Sequence, residues 1–256
     1  MTKAKVTVGG QDVNIATLDQ AITATMSELK STRRSFLVCT LNLDHLVKMH
    51  ENKAFREAYS QARFVTADGF PIVMLSRLLG ARLKRTAGSD MIIPLCQAAA
   101  RHEYPVFLLG STDSTLMKAS QKLVSKCPGL IIAGTYAPSD GFDPCNADIE
   151  PIIEQIHATK PRICFLALGA PKQELLAARL LSSVESVAFL GVGASLDFLS
   201  GAQIRAPKLL QMMNLEWLWR LGGNPSRLWR RYARCAVLFV CLMWRSALNV
   251  RHQSAQ

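Results

Sequence analysis

Several motifs that define common classes of enzyme are missing from this sequence of 256 residues. No GxxxxGK(S/T) segment occurs, which excludes a P-loop NTPase, and no GxSxG nucleophile elbow occurs. The five histidines show no metal-binding spacing such as HExxH. There is also no Asp-x-Asp pair of the kind that holds a divalent metal on a nucleotide diphosphate. If the protein is an enzyme whose reaction releases a diphosphate, arginines or backbone N–H groups would have to meet the charge of that diphosphate.

The sequence also lacks the marks of a secreted or membrane-spanning protein. Its seven cysteines are odd in number and form no CxxC pair, and the N-terminal MTKAKVTVGG has no apolar core of a signal peptide. We therefore expect reduced thiols in a cytoplasmic protein. The apolar run 236–244 is nine residues long, whereas a bilayer-spanning helix needs roughly 20.

Positive charge is concentrated at the C-terminal end. The net charge is +11, and residues 201–256 carry nine Lys or Arg against one Glu, whereas the first 200 residues carry 21 basic and 18 acidic residues. All four tryptophans also fall in this segment. A charge so localised indicates a partner of the segment and says little about the fold.

The order of apolar runs and helical periodicities predicts an α/β fold. Short buried-strand patterns near residues 36–41, 64–66, 105–109, 130–135, 163–168 and 187–192 alternate with helical segments. This alternation is typical of a Rossmann-like, mostly parallel sheet flanked by helices. After residue 203 the pattern becomes wholly helical. We therefore predict an α/β catalytic domain at 1–203 and a helical, basic appendage at 204–256.

The appendage has the pattern of a helix that lies on a membrane surface. Arg227, Arg230, Arg231 and Arg234 recur at steps of three and four residues, with Trp229 among them. Each basic side chain near anionic lipid contributes about 1 kcal/mol. The alternative is a C-terminal helix packed on the domain, with solvated arginines.

Four loops that follow predicted strands carry residues suited to chemistry. Parallel sheets bind ligands at the carboxyl ends of their strands, so all four loops can line one cleft. The loops are Thr40-Leu41-Asn42, Thr66-Ala67-Asp68-Gly69, Leu168-Gly169-Ala170-Pro171-Lys172-Gln173-Glu174 and Gly191-Val192-Gly193-Ala194-Ser195-Leu196-Asp197.

Each loop also has a structural interpretation. Asp68 could cap the following helix, and Lys172 could be a solvated lysine at a helix start. The segment 191–193 resembles a dinucleotide fingerprint without its third glycine, although its N–H groups suit a phosphate. Gln173 has no obvious structural task, which favours a functional one.

Taken in order, these segments resemble the WecG/TagA/CpsF glycosyltransferases (glycosyltransferase family 26) over most of the chain. Any single segment is weak, whereas the ordered set is specific. In one departure, Thr66 stands where many members have asparagine, which leaves the role of Asp68 intact but could alter the sugar pocket. The matching segments are 40–42, 67–69, 85–90, 108–110, 169–174, 191–193, 205–207, 215–217 and 225–232.

The resemblance implies an inverting, metal-independent transferase without a cofactor. Such enzymes move a hexose-type sugar from a UDP-sugar to a polyprenyl-diphosphate-linked saccharide in cell-surface polysaccharide biosynthesis, including exopolysaccharides. N-acetylmannosamine, its uronic acid and glucose all stay open as the donor sugar. By position, the resemblance makes Asp68 the general base, gives active-site roles to Thr40 and Gln173, and lets Arg220, Arg227 and Arg230 close over the diphosphate. Further substrate-binding residues are expected at Asn42, Gly69, Arg85, Asp90, Gly110, Gly169, Lys172, Gly191, Gly193 and Asp197.

The expected mechanism is a single displacement at the anomeric carbon. Asp68 would take the proton of the acceptor hydroxyl, and the tail arginines with N–H groups around Gly191 and Gly193 would stabilise the departing diphosphate. An aspartate of ordinary pKa is ionised at neutral pH but is a weak base, so positioning would contribute much of the acceleration.

The expected partners are the UDP-sugar, the lipid-linked saccharide and an anionic membrane surface, without nucleic acid; a homo-oligomer stays open. The expected location is the cytoplasm, peripherally bound to the inner face of the cell membrane. Two rival functions remain at this point. A nucleotide-cofactor-binding oxidoreductase would use the 191–193 turn, and a basic non-catalytic membrane-surface protein would leave the Asp68 and Gln173 loops unexplained.

Overall fold

The computed structural model describes residues 5–207, 209, 210, 213 and 215–253, with the side chains of 227 and 247–253 left out. The first part of the described chain contains an N-terminal hairpin followed by alternating strands and helices. Its elements are β1 Val6–Val8, β2 Gln11–Val13, α1 Leu18–Ser31, β3 Phe36–Leu41, α2 Leu43–Glu51, α3 Lys53–Ser60, β4 Ala62–Ala67, α4 Phe70–Leu78 and α5 Gly88–Arg101. The remaining elements are β5 Val106–Gly110, α6 Asp113–Lys126, β6 Ile132–Tyr136, α7 Glu150–Thr159, β7 Ile163–Ala167, α8 Lys172–Leu180, β8 Ala188–Gly191, α9 Ser195–Ser200, α10 Glu216–Gly223 and α11 Pro225–Gln253.

The central sheet has six strands in the order β4-β3-β8-β7-β5-β6. Every pairing within it is parallel. Strands β3, β5, β7 and β8 are buried along their whole length, as the continuous apolar runs of the sequence require for a sheet covered on both faces. The predicted α/β class with a mostly parallel sheet is confirmed.

Helices cover both faces of the sheet. One core cluster joins α2, α3, α4, α7 and α8 and the β1–β2 hairpin to side chains such as Leu41, Leu166 and Phe189. The other joins α1, α5, α6 and α9 to alternate positions of the same strands, among them Val38 and Leu190. Because successive side chains of a strand point to opposite faces, each strand contributes to both clusters.

Polar residues fix where several helices begin. The side chains of Thr17, Asn42, Asn52 and Thr112 each accept a hydrogen bond from the N–H three residues further on. These are the residue types preferred at helix N-caps, where such a bond satisfies an otherwise unpaired donor. Asn42 thereby sets the first turn of α2 directly after the end of β3.

The C-terminal helix α11 has two different faces. Leu238, Phe239, Leu242 and Met243 pack against the core cluster that lies under α2 and α4. The opposite face carries Trp229, Val237, Val240 and Trp244, which are 54–70% exposed. One face thus follows the packed-helix alternative, whereas the other is a bare apolar stripe.

The appendage shares its core with the preceding domain, and the division at residue 203 stays a prediction. Arg231 and Arg234, predicted to face lipid, instead pair with Asp44 and Glu51 of α2. No helix among the described residues combines the length and the hydropathy needed to cross a bilayer.

Candidate active site

The carboxyl ends of four neighbouring strands meet at one edge of the sheet. In the order β4-β3-β8-β7, these strands lead into the loops that begin at Asp68, Asn42, Val192 and Leu168. The β3 and β4 strands run in register, with Thr40 beside Thr66, and the N–H of Asp68 donates to the carbonyl of Leu41 over 2.7 Å. Parallel pairing thus brings together loops that are up to 150 residues apart in sequence.

Asp68 does not cap the helix that follows it. The N-cap of α4 is Gly69, at φ 91°, and no side chain caps this helix. The Asp68 carboxylate instead accepts a hydrogen bond from the Asn42 amide over 3.5 Å. The helix-cap interpretation of Asp68 is therefore wrong, and its carboxylate lies partly buried at the edge of the sheet.

The surroundings of Asp68 make it a stronger base than an ordinary aspartate. Burial raises the pKa of Asp68 to about 6, against the opposing effects of the Asn42 hydrogen bond and of the positive charges of Arg85 and Arg220. A group with this pKa is mostly ionised at neutral pH and accepts a proton more readily than a carboxylate of pKa 3.8. The sequence-based expectation of a weak base is corrected in this direction.

Gln173 has a structural task that the sequence did not show. Its Oε1 accepts a hydrogen bond from the N–H of Gly193 over 3.0 Å, and its Nε2 donates to Oε1 of Glu174 over 2.8 Å. A Cβ at Gly191 would lie 2.6 Å from this Nε2, so only glycine leaves room for the amide. Gln173 thus joins the loop after β7 to the turn after β8.

Glu174 lies beneath this contact and is fully buried. Burial raises the pKa of Glu174 to about 7, although the hydrogen bond from Gln173 and the positive charge of Lys48 oppose the rise. Its Oε2 accepts no hydrogen bond from the described part of the chain. A proton on this oxygen at mildly acidic pH removes the cost of a buried charge.

The turn after β8 offers fewer free donors than expected. The N–H of Val192 donates to the carbonyl of Leu166, and that of Gly193 donates to Gln173. The N–H groups of Val192 and Gly193 are thus already hydrogen-bonded within the protein. The prediction that N–H groups around Gly191 and Gly193 meet a diphosphate is corrected for these two groups. The positive charge at this edge comes from side chains.

Three arginines and two acids form a continuous chain of ion pairs beside Asp68. Asp90 lies 2.8 Å from Arg85 and 3.3 Å from Arg205, and Glu216 lies 3.6 Å from Arg205 and 3.3 Å from Arg220. Arg220 also stacks over the Phe198 ring at 5.3 Å. We call Arg85, Arg205 and Arg220 with Asp90 and Glu216 the arginine chain; it carries one net positive charge.

The arginine chain adds contacts to residues whose roles stay predictions from the sequence. Asp90, predicted to bind substrate, holds two guanidinium groups in place. Sequence patterns did not indicate Arg205 and Glu216 as site residues, although both stand in segments that resemble the family. Arg230 stacks on Trp229 at 5.5 Å, and among the described side chains it forms no ion pair with the arginine chain. The side chain of Arg227 lies outside the part of the chain that the structure describes.

Four other predicted binding residues have structural roles within the protein. Lys172 donates to the Phe142 carbonyl over 2.7 Å, and Asp197 accepts from the Ser111 hydroxyl over 2.6 Å. At Gly110 a Cβ would lie 2.5 Å from the Ala167 carbonyl oxygen, so this glycine is needed for strand packing. Gly169, at φ 71°, permits the turn from β7 towards Gln173.

Across the residues described, no three His, Cys, Asp or Glu side chains group as metal ligands.

Comparison with known proteins shows that this chain is an enzyme of the glycosyltransferase class. The model of the glycosyl transferase WecG/TagA/CpsF family matches residues 6–253. The chain therefore belongs to this family. A relative from Bacillus spizizenii, an N-acetylglucosaminyldiphosphoundecaprenol N-acetyl-beta-D-mannosaminyltransferase, is 31% identical over 219 residues, which cover 84% of this chain and 82% of the relative. The resemblance seen in the sequence is confirmed.

Proposed function

We propose that this glycosyltransferase moves N-acetylmannosamine from a UDP-sugar to a polyprenyl-diphosphate-linked N-acetylglucosamine. The observation that carries the reaction chemistry is the Asp68 carboxylate, whose pKa of about 6 suits a general base, beside the arginine chain. The relative that is 31% identical has a name that states a β-mannosaminyl transfer to a lipid diphosphate sugar. This name supports the choice of sugars among the donors that the sequence left open.

In the proposed reaction the acceptor hydroxyl attacks the anomeric carbon of the donor. The Asp68 carboxylate takes the hydroxyl proton as the new carbon–oxygen bond forms. The bond from the anomeric carbon to the diphosphate oxygen breaks on the opposite face, and UDP leaves with the electron pair. A single displacement of this kind turns an α-linked donor into a β-linked product.

Arginine side chains supply the charge that meets the leaving diphosphate. Arg205 and Arg220 share the carboxylate of Glu216, and Arg85 and Arg205 share that of Asp90. Guanidinium groups bind phosphate oxygens in bidentate fashion. Because the two acids already fix the arginines, less reorganisation is needed when negative charge develops during the reaction.

Release of UDP tests the proposal directly. With a short-chain lipid diphosphate N-acetylglucosamine as acceptor, we expect the protein to release UDP from UDP-N-acetylmannosamine and to form a β-linked disaccharide, identified by NMR. UDP-glucose and UDP-N-acetylmannosaminuronic acid serve as matched donors. Turnover with one of them alone would reassign the sugar, and no UDP release from any UDP-hexose would refute the proposed donor class.

The bare stripe of α11 supports a proposed docking on the cytoplasmic face of the cell membrane. Trp229, Val237, Val240 and Trp244 follow one another at helical steps and are all exposed. Trp217 and Trp219 of α10 are also exposed, at 45% and 41%. Aromatic and aliphatic side chains of this kind enter the headgroup region, and nearby arginines attract anionic lipid.

The double variant Val237→Gln with Trp244→Gln should weaken binding to vesicles that contain phosphatidylglycerol. Burial of each side chain contributes about 1.5–3 kcal/mol, so we expect at least about a tenfold loss in a sedimentation assay. Met117→Gln removes another exposed apolar side chain, 56% exposed on α6, and should leave vesicle binding unchanged. Equal losses in both variants, or none in either, would contradict docking through α11.

A further inference from the structure

A second set of charged contacts lies on α2 and joins α11 to the loop between β7 and α8. Nε of Arg231 lies 2.9 Å from Oδ1 of Asp44, and Nζ of Lys48 lies 2.7 Å from Oδ2 of the same carboxylate. Nζ of Lys48 also donates a hydrogen bond to the carbonyl of Ala170 over 2.7 Å. One carboxylate and one ammonium group therefore connect three elements of the fold.

The Asp44 carboxylate is more sheltered than that of an ordinary surface ion pair, although the Arg231 side chain is 40% exposed. The side chain of Asp44 is 9% exposed and that of Lys48 is 28% exposed. Exposed pairs contribute little to stability. The Asp44 carboxylate has two cations, so when one of them is lost the remaining cation must serve both oxygens. Loss of either Arg231 or Lys48 should therefore change how the remaining cation contacts Asp44.

Two members of this connection, Ala170 and Asp44, lie next to residues of the candidate site. Ala170 comes directly before Pro171, the N-cap of α8, and Gln173 projects from the first turn of that helix. Gln173 in turn holds the N–H of Gly193. Asp44 stands two residues after Asn42, the residue that caps α2 and donates to Asp68.

We propose that Asp44 and Lys48 are positioning residues. They make the position of the loop 168–171, and of Gln173 after it, depend on the packing of α11 against α2. The proposal rests on the proposed function in so far as Gln173 belongs to the transfer site. With Arg231 in place, each oxygen of Asp44 has its own cation, and the Lys48 ammonium, which has three hydrogens, reaches Ala170 as well. Without Arg231 both oxygens of the Asp44 carboxylate compete for the Lys48 ammonium, and the hydrogen bond from Lys48 to the Ala170 carbonyl weakens.

Hydrogen–deuterium exchange tests the physical connection independently of catalysis. In Lys48→Met and in Arg231→Gln we expect peptides that cover 168–176 to exchange about tenfold faster. The matched control is Glu51→Gln, which removes the pair of Glu51 with Arg234 between the same two helices but has no link to Ala170. Exchange in 168–176 should stay at the wild-type rate in this control.

Kinetics then test the catalytic consequence. A displacement of about 1 Å can cost on the order of 10² in rate, so Lys48→Met should lower kcat about ten- to hundred-fold with less than a threefold change in the donor KM. Lys48→Arg should recover most of the loss, because it keeps a charged donor beside Asp44. The double variant of Lys48 and Arg231 should be no slower than Lys48→Met, since contacts in one network are not additive.

Wild-type exchange in 168–176 of Lys48→Met, or fully additive losses in the double variant, would overturn the proposal. If Lys48→Met loses its circular dichroism signal, Arg231→Gln carries the same test from the more exposed end. Absence of transfer in the wild-type protein would refute the proposed function alone, because the exchange measurements would still decide whether α11 controls the loop.

Discussion

Replacement of Asp68 by asparagine should lower the kcat of sugar transfer by about 10²–10⁴-fold, the usual contribution of a general base. The asparagine keeps the size of the side chain and an oxygen that accepts from the Asn42 amide, so the site should keep its shape. A steady-state assay of UDP release measures the loss. The donor KM should change little, because the proton transfer that is lost occurs only in the transition state.

The pH profile gives the same residue a second signature. Since burial raises the pKa of Asp68 to about 6, kcat/KM of the wild type should rise tenfold per pH unit below that value and level off above it, as the carboxylate loses its proton. Asp113→Asn, at an exposed position in the first turn of α6, should keep both the rate and the profile. Near-wild-type turnover in Asp68→Asn would show that another group takes the proton.

Replacement of Arg220 by glutamine should have the second-largest effect, a loss of about 10²–10³-fold in kcat, as expected when a donor to developing negative charge is removed. Arg220 also lowers the pKa of Asp68. Its loss should therefore move the acid limb of the kcat/KM profile to higher pH. These two effects together separate a role at the diphosphate from general damage to the fold.

Arg77→Gln is the matched control for this variant. Arg77 is an exposed arginine in the last turn of α4 and makes none of the contacts of the arginine chain. The Arg77→Gln variant should keep the wild-type kcat and the wild-type acid limb of the kcat/KM profile. An Arg220→Gln enzyme with less than a threefold loss and an unshifted limb would remove Arg220 from the proposed mechanism.

Sequence patterns predicted the edge of the sheet that carries the candidate site, because parallel topology follows from local alternation. The buried run of β3 and the apolar residues before Asp68 were enough to predict two strands whose ends carry Asn42 and Asp68. Once both strands belong to one parallel sheet, their following residues meet at the same edge. The proximity of Asn42 and Asp68 needed no further information.

Contacts between distant residues were beyond those patterns. Arg205 and Asp90 are 115 positions apart, and no periodicity marks them as partners. The link of Gln173 to Gly193 depends on a rotamer and on a glycine that leaves room for it. In α11, helical spacing identified the arginines but not which of them face the domain, since Arg231 and Arg234 occupy the packed side.

The two faces of α11 also determine how the protein should be prepared for crystallisation. Removal of everything from Pro225 onwards would eliminate Trp229 and Trp244, yet it would uncover the core surface that Phe239 and Leu242 now cover. Shortening the chain would thus replace one exposed apolar surface by another. Polar replacements restricted to the outer face leave the inner face in place, so surface redesign offers a better route to a monodisperse sample without detergent.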